Sequence, residues 1–141
     1  MILKIKKLHK DAIIPKYATS GSVAFDVCAL EDYTIFSDVI KVRTGLAVQL
    51  PTGYELQVRQ RSGMSCEYKN YIANCIGTID SDYRGEIMVP ISNNSNKRMV
   101  IQKGDKIAQC LVKKCEIVKF LEVDELDKTE RGAGGFGHTG R

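Results

Sequence analysis

The chain has 141 residues and a mass of 15.7 kDa, the size of one domain that can bury a substantial core. Its composition, 43% hydrophobic and 27% charged, is that of an ordinary soluble globule, and no apolar run is long enough to cross a membrane. The net charge of +4 is mild and its lysines are scattered, so direct nucleic-acid binding has only weak support, and an anionic small molecule fits equally well.

The N-terminal stretch and the cysteines indicate the compartment. The stretch MILKIKKLHK interleaves lysines with apolar residues and lacks the continuous apolar segment of a secretory signal. The five cysteines are odd in number and contain no CxxC pair, which argues against a zinc site or a disulfide framework. We therefore expect reduced thiols in a cytoplasmic or otherwise intracellular protein.

Period-two alternation of apolar residues recurs along the chain and predicts half-buried strands. Turn-forming residues separate these strands at short intervals, and only Ser62 to Tyr68 has helical character. This pattern predicts an all-β sandwich, barrel or jelly roll with one short helix, and its sheet edges favour oligomerisation. The alternating sets are Leu46, Val48 and Leu50; Tyr54, Leu56 and Val58; Ile87, Val89 and Ile91; and Ile107, Gln109 and Leu111.

Two polar groups occur in the first half of the chain. Asp26 follows an aromatic residue in the strand-like segment TSGSVAFDVCA, and by itself it is weak evidence for a site. In RQRSGMS, Arg61 and Ser62 precede Gly63 at the start of the predicted helix, where backbone amides and these side chains can cradle a phosphate. Ser62 can equally be a plain helix N-cap, which is the more common role.

The densest polar cluster is NCIGTIDSDYRGEI, residues 74 to 87. Asp80 and Asp82 are two residues apart, so they lie on opposite faces of a strand or at the two sides of a tight turn, and only one is expected to face a ligand. A solvated hairpin turn is the alternative interpretation. A calcium loop is excluded because Arg84 and Ile91 occupy positions where such a loop needs oxygen ligands.

The C-terminal part supplies an amide and a glycine-rich tail. Gln109 is predicted on the same strand face as Ile107 and Leu111, where its amide needs a partner. The tail RGAGGFGHTGR holds five of the twelve glycines and should be mobile until something binds it. Phe136 offers a flat apolar face and Arg131 a fork of donors for phosphate, which predicts a flap over a nucleotide; a frayed terminus is the alternative.

The sequence contains no pattern of a nucleophile with its base. The two histidines lie near opposite ends of the chain, and neither a GxSxG nor a P-loop motif occurs. The polar groups that remain suit the hydrolysis or binding of a nucleotide with a metal carried on its phosphates.

Taken in order, SGSVAFDV, RSGMS, NCIGTIDSDYRGEI, GDKIAQCLV and RGAGGFGHTG resemble the five motifs of the trimeric dUTPases, from about Pro15 to Arg141. The resemblance implies a jelly-roll-like (β-clip) homotrimer with active sites between subunits, Mg2+ dependence, and hydrolysis of dUTP to dUMP and pyrophosphate. It divides the chain into a β domain, residues 1–130, and a mobile flap, residues 131–141.

The resemblance also implies roles for single residues in recognition of the nucleoside. Asp80 matches the catalytic carboxylate that activates the water attacking the α-phosphorus. Tyr83 matches the tyrosine under the deoxyribose, where a 2′-hydroxyl would clash, so it should exclude UTP. Asn74 and the backbone near Ile76 and Gly77 match the hairpin that binds uracil and rejects thymine and cytosine.

Further matches concern the triphosphate, the metal and the flap. In the family's pattern these are Arg61, Ser62 and Gly63 for phosphate binding, Gln109 for the α-phosphate, Asp26 for Mg2+ through water, Arg131, Gly137 and His138 for the terminal phosphate, and Phe136 for stacking on uracil. The chain departs from the family's common residues at Ala24, Gln60, Ser65 and His138. His138 stands where serine is usual. This predicts that turnover or affinity falls more steeply with rising pH than in a His138→Ser variant.

Two alternatives remain open from the sequence. One is dCTP deaminase, which shares the fold and the trimer but needs a glutamate where this chain has the dUTPase pattern with Asp80. The other is a regulatory module in which dUTP-driven closure of the tail binds or releases a protein partner.

Overall fold

The computed structural model describes residues 1–74 and 76–138, and for Tyr68 it describes the backbone only. Eleven strands and one short helix form within these ranges, which confirms the all-β prediction. In chain order they are β1 (Lys4–Lys7), β2 (Phe25–Cys28), β3 (Tyr33–Ile35), β4 (Val39–Arg43), β5 (Leu46–Gln49), β6 (Tyr54–Arg59), α1 (Ser62–Tyr68), β7 (Tyr71–Ile72), β8 (Gly77–Ile79), β9 (Met88–Ser92), β10 (Met99–Ile101) and β11 (Lys106–Lys114).

The strands pair in four antiparallel sheets. The largest has the order β2, β11, β6 and β8, and a second has the order β4, β9 and β7. The two remaining sheets are the pairs β1 with β5 and β3 with β10. Most neighbours are distant in sequence, so the sheets bring together motifs from both halves of the chain.

Most apolar faces of the sheets meet in one main core. Ile35 of β3, Leu56 of β6 and Val89 and Ile91 of β9 are all fully buried in it. Burying a side chain of this size stabilises the fold by about 1.5–3 kcal/mol. Three of the four predicted alternating sets face inward as expected, all toward this core except Leu46, which packs with Ala12 and Leu30 in a smaller buried cluster. Among the described residues, no helix is both long and apolar enough to span a membrane.

For the fourth set, on β11, the prediction of which side chains face the core is wrong. Ile107 and Ala108 are both buried, and from there the core positions are Ala108 and Cys110, whereas Gln109 and Leu111 are only partly buried. The cause is a bulge: Lys106 pairs with Cys28 but Ala108 already pairs with Val27, so Ile107 is an extra residue. Such a residue shifts every later side chain to the other face.

The short helix is confirmed at Ser62–Tyr68, but its N-cap residue is Arg61. The Arg61 side chain makes no capping hydrogen bond, and Ser62 is already inside the first turn. The N-cap interpretation of Ser62 is therefore wrong. Lys69 is the C-cap residue: it has a left-handed backbone (φ 49°), and its amide donates to the Ser65 carbonyl at 3.0 Å.

Candidate active site

A turn after β8 places Asp80 and Tyr83 together. β8 ends at Ile79, and the Tyr83 amide donates to the Asp80 carbonyl at 3.2 Å. Of the two arrangements predicted for Asp80 and Asp82, the structure has the tight turn. Both carboxylates are exposed.

A cavity of about 280 Å³ lies beside this turn and is lined by Asp80, Tyr83, Asn74 and Gly77, among others. Gly77 lies opposite Val58 in the β8 and β6 pair, where a Cβ would be 3.2 Å from Asn74 Nδ2 and 3.3 Å from Val58 Cβ. Glycine therefore lets the Asn74 side chain and the neighbouring strand pack closely. The volume is near the lower end for ligand pockets.

The predicted hairpin is only partly described. Ile76 is 51% exposed and is not among the residues that line the cavity. Cys75, which precedes it, lies outside the described residues.

A second group of polar side chains forms around Asp26 on β2. Asp26 Oδ1 lies 2.9 Å from Arg61 Nε, and its Oδ2 lies 2.9 Å from Lys106 Nζ. Arg61 also donates from Nη1 to the Lys106 carbonyl at 3.0 Å. The strand register places Gln109 directly opposite Asp26, and its amide donates to the Gln60 carbonyl at 2.8 Å. The amide of Gln109 thus finds its partner within the protein.

The residues at the helix start remain available to a ligand or a second chain. Ser62 and Gly63 are exposed, and a Cβ at Gly63 would meet no atom within 4 Å. Space within this chain therefore does not require glycine at position 63. None of Asp26, Arg61, Ser62 and Gln109 lines the Asp80 cavity, so the structure places these residues in two separate groups.

The tail forms turns of its own away from the Asp80 cavity. Arg131 Nε donates to the Gly134 carbonyl at 2.9 Å, and Arg131, Gly137 and His138 line a shallow hollow with neighbouring residues. Phe136 is fully exposed and has a left-handed backbone (φ 49°). Residues 139–141 of the predicted flap lie outside the described ranges.

The sequence analysis missed several residues at these two groups, four of which are polar or lie at exposed positions. Lys41, Glu86 and Met88 line the Asp80 cavity, and Lys106 pairs with Asp26. Charged residues beside apolar strands usually mark solvated positions, so the only signal was that Glu86 and Lys106 lie within two of the quoted motifs.

Burial and pairing shift several pKa values near these groups. The Glu86 carboxylate, hydrogen-bonded to Arg43, raises the pKa of that guanidinium. Burial raises the pKa of the Cys28 thiol, which lies on β2 two residues after Asp26. Both residues therefore keep their ordinary charge state at neutral pH.

Within this all-β fold, a carboxylate, a tyrosine and an amide line one small cavity, and a second group joins the Asp26 carboxylate to two cationic side chains. The family model for dUTPase matches residues 10–140. The chain belongs to the dUTPase family, as the order of its motifs predicted.

Individual relatives are similar in sequence to this chain over nearly its whole length. A deoxyuridine 5'-triphosphate nucleotidohydrolase of Helicobacter pylori (strain P12) is 48% identical over 141 residues, which is 99% of this chain and 97% of that protein. The protein of the same name from Nautilia profundicola is 46% identical over 142 residues, covering all of both.

Solved structures show the same fold. The dUTPase of Staphylococcus bacteriophage 80alpha with dUPNHPP has a TM-score of 0.88 at 24% identity and covers 99% of both chains. A mutant dUTPase from phage phi11 of S. aureus has a TM-score of 0.82 at 21% identity, over 91% of this chain and all of the other. That structure is described as revealing the coordination of a structural Mg(II) ion.

Proposed function

We propose that this chain hydrolyses dUTP to dUMP and pyrophosphate, which keeps uracil out of DNA and supplies dUMP for dTMP synthesis. The observation that carries the proposal is the cavity beside Asp80 in a chain of the dUTPase family. Relatives named deoxyuridine 5'-triphosphate nucleotidohydrolase, which match nearly the full length, support it. The family match does not favour dCTP deaminase or a purely regulatory module.

In this proposal Asp80 is the base. Its exposed carboxylate, at the rim of the cavity, positions a water and takes its proton as the water attacks the α-phosphorus. The bond to the bridging oxygen breaks, and pyrophosphate leaves with the electron pair. The cavity selects the nucleoside: Asn74 and the backbone at 76 and 77 bind the uracil edge, and Tyr83 packs under the deoxyribose.

The group around Asp26 receives the triphosphate. Arg61, Ser62, Gly63 and Gln109 are proposed to bind phosphate oxygens, for which a guanidinium is well suited. Arg61 is held by Asp26 in the free subunit, so a triphosphate has to draw this guanidinium away from the carboxylate.

We further propose that Mg2+ arrives on the triphosphate. Within the described ranges, no group of three or more His, Cys, Asp or Glu side chains could hold an ion by itself. Asp26 offers carboxylate oxygens, which Mg2+ prefers, and it would hold the hydrated ion through water once Arg61 and Lys106 turn to the phosphates. When bound, the ion neutralises charge on the phosphates.

A homotrimer with shared sites completes the proposal. The arm over residues 116–130 is exposed throughout, with Phe120 at 96%, Leu121 at 84% and Leu126 at 85% exposure. Apolar exposure on this scale marks an interaction surface. The separation of the two polar groups supports sites completed by a second subunit, over which the flap with Arg131, Phe136, Gly137 and His138 closes. A reaction on cellular dUTP further requires an intracellular location.

The experiment is pyrophosphate release with Mg2+ from dUTP, dTTP, dCTP and UTP by the wild type and by Asp80→Asn. We expect release from dUTP alone and a loss of at least about a hundredfold in Asp80→Asn. Asp82→Asn is the matched control, because Asp82 lies in the same turn but does not line the cavity, and it should retain near wild-type activity. Equal losses in both variants would refute the assignment of Asp80, and an inactive wild type would refute the proposed reaction.

A further inference from the structure

Glu86 connects the Asp80 turn to a rigid part of the molecule. Its carboxylate accepts the Gly45 amide at 2.8 Å and the Arg43 Nε at 3.1 Å, and the side chain is only 14% exposed. Residues 43–46, here called the anchor segment, join β4 to β5. The neighbouring residue adds two more bonds: Thr44 Oγ1 donates to the Ile87 carbonyl at 2.7 Å, and the Ile87 amide donates to the Leu46 carbonyl at 2.7 Å.

The anchor segment has little freedom to move. Gly45 has a left-handed backbone (φ 69°), and a Cβ there would lie 2.9 Å from Ala12 Cβ and 3.2 Å from Leu30 Cδ1. Thr44 is buried, and its hydroxyl also accepts the Leu46 amide at 3.2 Å. The Glu86 carboxylate is thus bound to a fixed part of the fold.

Tyr83 is held by the backbone of Glu86. Its hydroxyl donates to the Glu86 carbonyl at 3.1 Å, so the ring folds back over Gly85 and lines the cavity. Glu86 therefore contacts the anchor segment through its side chain and Tyr83 through its backbone.

We propose that Glu86 is a positioning residue that fixes the Tyr83 ring and thereby sets the preference for deoxyribonucleotides over ribonucleotides. This inference rests on the proposed function, in which the Tyr83 ring lies under the sugar. A ring can exclude a 2′-hydroxyl only if it cannot retreat, because a displacement of about 1 Å is enough to relieve such a clash.

Removing the Glu86 side chain would leave the Gly45 amide and the Arg43 guanidinium without their acceptor. Water that enters this position can then donate a hydrogen bond to the Glu86 carbonyl in competition with the Tyr83 hydroxyl. The Tyr83 hydroxyl can also bind water, which is a mobile partner. At metal sites, residues that orient the ligand side chains typically change affinity or activity about ten- to a hundredfold when lost, and we expect a smaller effect of the same kind here.

The test measures binding of the non-hydrolysable α,β-imido analogues of dUTP and UTP by calorimetry, together with dUTP hydrolysis. We expect Glu86→Ala to lower the preference for the deoxy analogue at least about fivefold, mainly through tighter UTP-analogue binding relative to dUTP. Glu86→Gln retains an oxygen for the Gly45 amide and should keep most of the preference. Asp11→Ala removes the carboxylate of a different ion pair, with Lys103. This control should leave the preference for the deoxy analogue unchanged.

A double variant separates positioning from general stability. If Glu86 acts through Tyr83, then Glu86→Ala should change the preference little when Tyr83→Phe has already removed the hydroxyl. Additive effects, or a preference in Glu86→Ala equal to the wild type, overturn the inference. If Glu86→Ala does not fold, Glu86→Asp, which withdraws the carboxylate from Gly45, carries the same expectation. A wild type that binds the dUTP analogue but hydrolyses no dUTP overturns the proposed function alone, and one that binds neither analogue overturns both.

Discussion

At the scale of single residues, Gly85 is the glycine, among those the structure describes, at which an added Cβ would come closest to another atom. A Cβ at Gly85 would overlap the ring and hydroxyl of Tyr83. We expect Gly85→Ala to displace Tyr83 and to lower kcat/KM for dUTP about tenfold or more. At Gly21 a Cβ would meet no atom within 4 Å, so Gly21→Ala should behave like the wild type in the same assay. Equal behaviour of the two variants would contradict the role given to the Tyr83 fold-back.

His138 is the residue through which pH should act on the tail. A Cβ at Gly134 would lie 2.8 Å from His138 Cγ, so the imidazole packs on the tail backbone, in a hollow that Arg131 and Glu130 also line. An imidazole donates to a phosphate most strongly when protonated, whereas a serine hydroxyl donates at any pH. We expect KM for dUTP to rise more steeply with increasing pH in the wild type than in His138→Ser. Parallel profiles would remove His138 from the proposed phosphate contact.

At the scale of elements, the tail is separable from the β domain. Residues 116–138 form no strand, and none belongs to the hydrophobic core. Deleting residues 131–141 should therefore leave the melting temperature nearly unchanged and should still allow dUTP binding. Turnover should fall strongly, because closure of a flap excludes water and positions the substrate. An unfolded truncated protein would show that the tail is structural.

At the scale of the whole molecule, the exposed arm should be covered by assembly. We expect sedimentation equilibrium to give three times the chain mass of 15.7 kDa. Phe120→Asp with Leu121→Asp should weaken that assembly, since both side chains are more than four-fifths exposed in the single chain. Ile2→Asp, at a similarly exposed residue outside the arm, provides the control. A monomeric wild type would contradict the proposed trimer.

The core also makes the stability of the whole molecule fall at alkaline pH. Burial raises the pKa of the Cys110 thiol from 9.0 to about 12, because the thiolate is disfavoured inside the core. The folded state then binds this proton more tightly than the unfolded state, so the contribution to the free energy of unfolding is complete below about pH 9 and is lost as pH rises towards 12.

Denaturant unfolding at several alkaline pH values checks this expectation. Cys110→Ala should lose less stability than the wild type as pH rises, although it starts from a lower value because of the cavity it creates. Cys66→Ala, at an exposed cysteine, should follow the wild-type slope. Identical slopes for all three proteins would mean that Cys110 does not titrate in the unfolded chain as supposed.

Much of the fold and of the family assignment followed from local features of the sequence. Alternation placed Val89 and Ile91 in the core, and the short helix was predicted with the bounds that the structure has. These succeed because strand faces, turns and motif spacing depend on neighbouring residues. The face of β11 was mispredicted because a bulge at Ile107 depends on how two strands pair, which alternation does not record.

By itself, then, the sequence determined the β architecture and the family, since both are encoded within short segments, and from the same segments it predicted the residues proposed to bear the chemistry. Only the tertiary structure decided that Asp26 is held by Arg61 and Lys106, and that Glu86 fastens the Asp80 turn to residues 43–46. These contacts join segments far apart in the chain. The physical reason is that strand pairing, which buries apolar faces together, sets which distant polar groups become neighbours.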